Sequence, residues 1–236
     1  MTRIIEVCCT SIEDVINARY GGARRVELCS AISEGGLTPS AGLIAGAVRE
    51  RGEMQINVLI RPRAGHFIYS DRELAIMEAD IEAVRAAGAD GVVIGALTPQ
   101  AEVDIKAMKR LLAHCAGLDV TFHRAFDETF NMPDAIKSIY SLGIRRILTS
   151  GGAPTALEGA HIISTLINIA PADMVIMPGS GLTPACIDEL QRITSAVEFH
   201  STCTLKDNPA PCRSPLFGCA ARPTCIDVVK VLTGSN

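Results

Sequence analysis

The most informative stretch of the chain is Val120-Thr121-Phe122-His123-Arg124-Ala125-Phe126-Asp127. It begins as a buried β-strand, since β-branched and aromatic residues follow one another. Within five residues it then changes to an imidazole, a cation and a carboxylate, at His123, Arg124 and Asp127. A strand that ends in titratable side chains presents them at the edge of its sheet, where they can form a site for polar chemistry.

Other apolar runs also end in polar residues: Glu6-Val7-Cys8, Glu27-Leu28-Cys29, Ile60-Arg61-Pro62-Arg63, Leu148-Thr149-Ser150-Gly151 and Glu198-Phe199-His200. Polar residues gathered at one end of many strands are typical of barrel enzymes, whose sites lie at the C-terminal ends of the strands. The pattern predicts an α/β fold, a single (β/α)8 TIM barrel over residues 1–236.

The rest of the chain alternates between strand and helix patterns. Strands are predicted at 4–8, 25–28, 55–60, 91–94, 119–122, 146–149, 174–177 and 196–199. Helices are predicted at 11–20, 39–51, 72–87, 102–115, 132–141, 154–169 and 183–193, with an irregular loop at 201–224 and a C-terminal helix at 221–232. Parallel strands need such helical crossovers, and eight of them close into a barrel. An open doubly wound sheet is the weaker alternative, because no Gly-x-Gly-x-x-Gly follows the first strand.

Composition narrows the class of protein. At 236 residues, 48% hydrophobic and without Trp, the chain can bury one large aliphatic core. A formal net charge of −4 argues against nucleic-acid binding, which requires a basic face. The sequence contains no run of about 18 apolar residues, so no membrane span is predicted. The N-terminus does not resemble a signal peptide. Nine cysteines without such a signal predict free thiols in a reducing cytoplasm.

The strand ends supply candidate site residues. Side chains two positions apart share a face of a strand, so Glu6 and Glu27 face the same way as Cys8 and Cys29. The candidate catalytic residues are Glu6, Glu27, His123, Asp127 and His200. The candidate substrate-binding residues are Arg61, Arg63, Arg124, Ser150, Gly151 and Gly179. The alternative is that some of these strand charges point outward beneath helices, which is costly unless they are paired.

Two further interpretations concern anions. Arg61 is followed by Pro62, which favours an extended exit from the strand, so we expect its guanidinium to reach the barrel mouth and meet Glu6 or Glu27. The glycine-rich turns that contain Gly151 and Gly179 can hold a phosphate or carboxylate on backbone N–H groups. They can equally be tight turns that simply need glycine.

Cys8 and Cys29 end neighbouring strands, and two thiolates in that position suit a soft ion such as Cu(I). The alternative is a pair of small buried thiols that pack as apolar residues. Zinc is less expected, because no Cys-x-x-Cys pair occurs.

The chain resembles the CutC copper homeostasis family. The matching motifs are Glu6-Val7-Cys8-Cys9, Arg25-Val26-Glu27-Leu28-Cys29, Glu34-Gly35-Gly36-Leu37-Thr38-Pro39-Ser40, Ile60-Arg61-Pro62-Arg63, Tyr69-Ser70-Asp71, Thr121-Phe122-His123-Arg124-Ala125-Phe126-Asp127, Leu148-Thr149-Ser150-Gly151 and Glu198-Phe199-His200. The resemblance implies a cytoplasmic (β/α)8 barrel, often a homo-oligomer such as a dimer or tetramer. It also implies copper handling, with Cu(I) on the cysteines that match Cys8 and Cys29. The chain departs from the family at Gly65-His66-Phe67, where Gly-Asp-Phe is usual, and in its short tail rich in Pro and Cys.

These observations lead to two main hypotheses for the function and a weaker third. The first is copper homeostasis through Cu(I) binding. The second is an enzyme that acts on a small polar or anionic substrate by acid–base chemistry at the barrel mouth, since a copper carrier does not need several arginines, glutamates and histidines around its thiols. The third is a non-catalytic sensor or binding barrel. The partner is then a metal ion or a small molecule, without nucleic acid or membrane.

Overall fold

A computed structural model describes residues 3–205 and 222–235. Its strands are β1 (Ile4–Cys9), β2 (Arg25–Leu28), β3 (Gln55–Leu59), β4 (Gly91–Ile94), β5 (Asp119–Phe122), β6 (Arg146–Thr149), β7 (Val175–Pro178) and β8 (Glu198–Ser201). Its α-helices are α1 (Ile12–Tyr20), α2 (Ala41–Glu50), α3 (Asp71–Ala86), α4 (Ile105–Leu112), α5 (Met132–Ser141), α6 (Ala160–Ile169), α7 (Ile187–Thr194) and α8 (Ile226–Thr233). Two short 3₁₀ helices lie at Ile32–Glu34 and Arg124–Glu128.

The eight parallel strands form one sheet in the order β7-β6-β5-β4-β3-β2-β1-β8. A parallel bridge between Gly179 and His200 joins the two ends of that sheet, so the barrel is nearly closed. The predicted (β/α)8 fold and the C-terminal helix are confirmed. Strand β8 pairs directly with β1, which brings His200 opposite Glu6.

The largest differences from the sequence prediction are at the starts of α6, α7 and α8, and β8 also begins later than predicted. Helix α6 begins at Ala160 rather than at 154, because the preceding residues form turns in which Gly159 packs tightly against Ser150. Strand β8 begins at Glu198 rather than at 196, since Ser195 ends α7 in the left-handed conformation and residues 196–197 complete the turn.

The core has two parts that follow from strand alternation. Outward-facing residues such as Ile5, Val7 and Val26 are fully buried beneath the helices. The inward-facing positions between them carry polar side chains, with Glu6 opposite Arg25 in the β1–β2 register. Above this polar layer, four inward-facing side chains form a small apolar cluster: Cys8, Cys29, Leu59 and Val93. Strand alternation therefore directs these charged side chains into the barrel, beneath the site at the C-terminal ends of the strands.

The loop after β8 lies mostly outside the described residues. Residues 206–221 of the predicted irregular segment fall there, and the predicted single domain over 1–236 therefore stays a prediction. On either side of them, Thr204 and Thr224 form an antiparallel bridge. Within the part of the chain that is described, no helix is both long and apolar enough to cross a membrane.

Candidate functional site

A cavity of about 530 Å³ opens at the C-terminal ends of the strands. Seven of the residues predicted for the site line it: Cys8, Glu27, Cys29, Arg61, His123, Arg124 and His200. Glu6 lies directly beneath, in contact with His200. Apolar residues that the sequence analysis did not identify, Phe67, Leu148 and Leu182 among them, complete the lining.

His200 joins two carboxylates at the floor of the cavity. Its Nδ1 lies 2.8 Å from Oε1 of Glu6 and 3.5 Å from Oε2 of Glu27. Oε2 of Glu27 is buried and has no hydrogen-bond partner. Burial raises the pKa of Glu27 to about 7, although the neighbouring His200 opposes that shift. A carboxyl group in this state can take up or release a proton near neutral pH, which is what general acid–base catalysis requires.

Glu6 behaves in the opposite way. Burial works to raise its pKa, but Arg25 and His200 outweigh burial and lower the pKa to about 2. The two glutamates are therefore in different protonation states near pH 6, and separated pKa values of this kind are typical of acid–base sites. The pKa of His200 is raised, because the attraction of Glu27 and Glu6 outweighs the effect of its burial.

Arg25 organises the polar interior, and the sequence analysis did not identify it as a site residue. Its Nε donates to Oε2 of Glu6 at 2.5 Å, and its Nη2 donates to Glu198. Arg146 then bridges Glu198 and Asp119 on the side away from the cavity. Strand alternation could have identified it, because Arg25 stands two positions before Glu27 and so shares its face of β2.

The two predicted metal-binding thiols lie side by side. Sγ of Cys8 is 3.6 Å from Sγ of Cys29, and both residues are buried at the cavity wall. The hydrogen bond with Cys29, together with burial, raises the pKa of Cys8 well above its ordinary value. The Cys8 thiol is therefore protonated at neutral pH, and a metal ion has to displace that proton in order to bind.

A second group of possible ligands is Glu6, Glu27 and His200, whose donor atoms lie within 4.8 Å of one another. Glu6 is already paired with Arg25, so a cation bound there would meet a nearby guanidinium. The thiol pair therefore fits a metal ion better than the carboxylate group does.

Arg61 lines the cavity, but the prediction that it meets Glu6 or Glu27 is wrong. Its Nη1 donates to the carbonyl oxygens of Glu34 and Gly36, and its Nη2 to that of Gly65. These carbonyl groups belong to the loops after β2 and β3. The guanidinium that pairs with Glu6 is that of Arg25. Nε of Arg61 is buried without a partner. The Tyr69 hydroxyl is also buried without a partner, and burial raises its pKa to about 12 although the charge of Arg61 opposes that shift.

His123 follows β5 and is 5% exposed. Its Nδ1 accepts a hydrogen bond of 3.1 Å from the backbone N–H of Ala125, and its Nε2 is buried without a partner. Gly95 makes room for the imidazole, since a Cβ there would lie 2.7 Å from Cε1 of His123. Burial, followed by the charge of Arg61, lowers the pKa of His123 to about 3. His123 is therefore neutral at physiological pH, which does not favour the predicted acid–base role.

The glycine-rich turn after β6 does bind an anion, but the anion is the protein's own Asp127. The Asp127 carboxylate accepts from the backbone N–H groups of Ser150 and Gly152 at 3.1 Å, and from the hydroxyl of Thr149. Arg124 completes the group with bonds of 2.8 Å to Asp127 and to the Ser150 hydroxyl. The predictions of Asp127 as a catalytic residue and of Ser150 as a ligand contact are therefore not supported, because these groups satisfy each other.

Three other predicted contacts lie away from the cavity. Gly151 donates its N–H to Thr149 Oγ1 at 2.8 Å, and a Cβ at Gly151 would meet Gly159 O at 2.8 Å. Gly179 donates to the carbonyl of Thr149 and bridges to β8. Arg63 turns toward the start of α3, where it pairs with Glu73, and it also donates to the carbonyl of His66. These three residues shape the backbone around the site and do not line the cavity.

Comparison with known proteins agrees with this architecture. The model of the CutC family matches residues 3–205. The human copper homeostasis protein cutC homolog is 41% identical over 238 residues, which cover 98% of this chain and 87% of that protein. The mouse homolog is 44% identical over 197 residues, covering 84% and 72%. The crystal structure of CutC from Streptococcus agalactiae has a TM-score of 0.81 at 33% identity and covers 86% of this chain and 99% of that one. The chain therefore belongs to the CutC family.

Proposed function

We propose that the chain acts in copper homeostasis by binding Cu(I) between Cys8 and Cys29. The observation that carries this proposal is the pair of buried thiols, 3.6 Å apart at the wall of an open cavity. The relatives in human and mouse are named for copper homeostasis, which agrees with it.

The chemistry of the pair suits a soft monovalent ion. Thiolates select Cu(I) over harder cations, and the two thiols pack with the apolar side chains of Leu59 and Val93. Metal–sulfur bonds of about 2.3 Å, as in zinc thiolate sites, allow sulfur separations of up to about 4.6 Å. The observed separation lies within that reach, so binding needs only a small outward movement of the two side chains.

Competitive titration tests the proposal. Cu(I) is added anaerobically in the presence of a colorimetric Cu(I) chelator, to the wild type and to Cys8→Ser/Cys29→Ser. The matched control is Cys115→Ser/Cys186→Ser, which removes two thiols outside the cavity. The proposal expects the tight site to disappear in the first variant and to persist in the control. Equal affinity in all three proteins would assign copper to other thiols.

The second candidate function is an acid–base enzyme. A cavity of about 530 Å³ is far larger than a bare ion needs, since a water molecule occupies about 30 Å³ of the liquid. Its floor carries Glu27, with an unpartnered carboxylate oxygen beside His200, and Glu6 orients that imidazole. In this reading Glu27 transfers the proton of a small polar or anionic substrate.

Incubation with cell extract under metal-free conditions tests the second candidate. Mass spectrometry compares small molecules consumed by the wild type, by Glu27→Gln and by Cys8→Ser/Cys29→Ser. An enzyme predicts a substrate that Glu27→Gln leaves intact while the thiol variant still consumes it. Identical metabolite profiles for the wild type and Glu27→Gln would remove this candidate.

We further propose that the protein works in a reducing compartment such as the cytoplasm. The support is that Cys8 and Cys29, although adjacent, are free thiols, as are the other described cysteines. Assembly into a homo-oligomer stays a prediction.

A further inference from the structure

Arg61 is a buried cation that has no acidic partner in residues 3–205 and 222–235. It is 6% exposed, and each hydrogen bond that it makes goes to a neutral backbone carbonyl. A buried charge is costly unless an opposite charge or a ligand compensates it. The three carbonyl bonds hold the guanidinium in place and leave Nε–H without an acceptor. This residue therefore carries both a positive charge and an unused donor at the cavity wall.

His123 supplies a second unused donor. Because Nδ1 accepts a hydrogen bond from the N–H of Ala125, the proton of the neutral ring resides on Nε2. That Nε2–H is buried and has no acceptor. The low pKa of His123 agrees with a neutral ring that donates without carrying charge.

The Phe67 ring lies next to the side chains of both Arg61 and His123. Cζ of Arg61 lies 5.1 Å from the centroid of the Phe67 ring, and the His123 ring centroid lies 4.9 Å from it. All three side chains line the same cavity. The aromatic ring is therefore an apolar neighbour that the two donor side chains share.

We propose that Arg61 and His123 form a binding subsite for the carboxylate group of a small organic acid, with Phe67 as its apolar side. The geometry offers two N–H donors and one positive charge, which match the two oxygens and single charge of a carboxylate. The remaining lining contains Leu59, Leu148 and Leu182, which suit a carbon skeleton better than an inorganic ion.

The subsite occupies a different part of the mouth from the groups considered above. Arg61 and His123 follow β3 and β5, whereas the thiols and the Glu27–His200 pair belong to β1, β2 and β8. A bound acid would extend from the donors toward Glu27. The proposal goes beyond Cu(I) binding and deepens the enzyme candidate by naming a substrate class; it rests on that candidate only for the direction in which the ligand extends.

Binding is measured directly, so that the result does not depend on turnover or on copper. Wild-type protein with ¹⁵N-labelled histidine is titrated with acetate, pyruvate and succinate, and separately with acetamide and inorganic phosphate. We expect the Nε2–H signal of His123 to shift saturably with at least one carboxylate and to stay unchanged with acetamide. No shift with any of the three carboxylates would overturn the proposal, as would a saturable shift with phosphate alone.

Variants then test the two donors by calorimetry with the carboxylate that binds best. His123→Phe keeps a ring against Phe67 and removes the donor, and we expect affinity to fall about 10- to 100-fold. His123→Gln restores an N–H and should recover part of the loss. The control His114→Phe, at a half-buried histidine outside the cavity, should bind like the wild type. Arg61→Lys keeps the charge without Nε–H and should also weaken binding. Wild-type affinity in His123→Phe and Arg61→Lys would overturn the proposal, whereas Cu(I) affinity should be the same in all of these proteins.

Discussion

Arg25 and Glu6 form an ion pair in the interior of the barrel, with 2.5 Å between Nε and Oε2, and neither side chain is more than 3% exposed. The pair keeps Glu6 ionised beneath a cavity whose other glutamate, Glu27, has a raised pKa. Because ionised Glu6 accepts from His200, the pair also orients the imidazole at the floor of the cavity. Arg25 therefore positions groups of the site without lining the cavity itself.

Replacing Arg25 tests this arrangement. Arg25→Met should lower the free energy of unfolding by about 3–5 kcal/mol, because it leaves the carboxylates of Glu6 and Glu198 buried without their shared partner. Urea denaturation at pH 7 measures the change. The matched control, Arg145→Met, breaks the exposed pair with Asp173 and should cost no more than about 1 kcal/mol. Equal losses in the two variants would contradict a special role for the interior pair.

The buried imidazole of His123 predicts a dependence of stability on pH. Its folded pKa of about 3 lies below the ordinary value of 6.5, so the unfolded chain binds the proton more readily. Its contribution is fully present above about pH 6.5 and is lost as the pH falls toward 3. His123→Gln cannot titrate, so the wild type should lose about 3 kcal/mol relative to this variant between pH 7 and pH 4. If the two proteins differ in their free energy of unfolding by the same amount at pH 7 and at pH 4, the folded His123 does not have the lowered pKa.

The carboxylate of Asp127 occupies the anion-binding turn after β6, which predicts a rescue by added anion. Asp127→Ala should lose about 3 kcal/mol, because the N–H groups of Ser150 and Gly152 and the Thr149 hydroxyl lose a charged acceptor. Phosphate at several times its Kd should then restore about 1 kcal/mol. Thermal melts with and without phosphate measure both effects.

The control for that rescue is Asp134→Ala, which removes an exposed carboxylate paired with Lys137. Phosphate should stabilise this variant no more than it stabilises the wild type. An Asp127→Ala protein that phosphate leaves unchanged would mean that the turn cannot accept an external anion.

Strand alternation made much of the barrel predictable. Glu-x-Cys and Glu-x-His at the ends of strands correctly indicated that Glu6, Glu27 and His200 face inward and meet. Strand alternation also places Arg25 inside the barrel. Because Arg25 begins β2, however, the sequence analysis did not identify it as a partner for carboxylates on the neighbouring strands. The parallel register supplies that link, because it sets Arg25 opposite Glu6.

The loops were less predictable, because side chains there follow backbone turns rather than a period. Arg61 is held by carbonyls from the loops after β2 and β3, whose paths depend on positive-φ glycines such as Gly36 and Gly65. Arg124 and Asp127 lie within four residues of His123 in sequence, yet they pair across to the β6 turn. Sequence proximity to a site residue was therefore a poor guide to where these loop side chains point.

X-ray absorption at the copper edge tests the central claim, that Cys8 and Cys29 together hold Cu(I), most directly. The protein is loaded with one equivalent of Cu(I) under anaerobic conditions, and the spectrum reports the atoms bound to copper. The account predicts two sulfur neighbours in the wild type and in Cys115→Ser/Cys186→Ser, and the loss of both in Cys8→Ser/Cys29→Ser. Nitrogen or oxygen ligands in the wild type, or an unchanged two-sulfur spectrum in Cys8→Ser/Cys29→Ser, would contradict it.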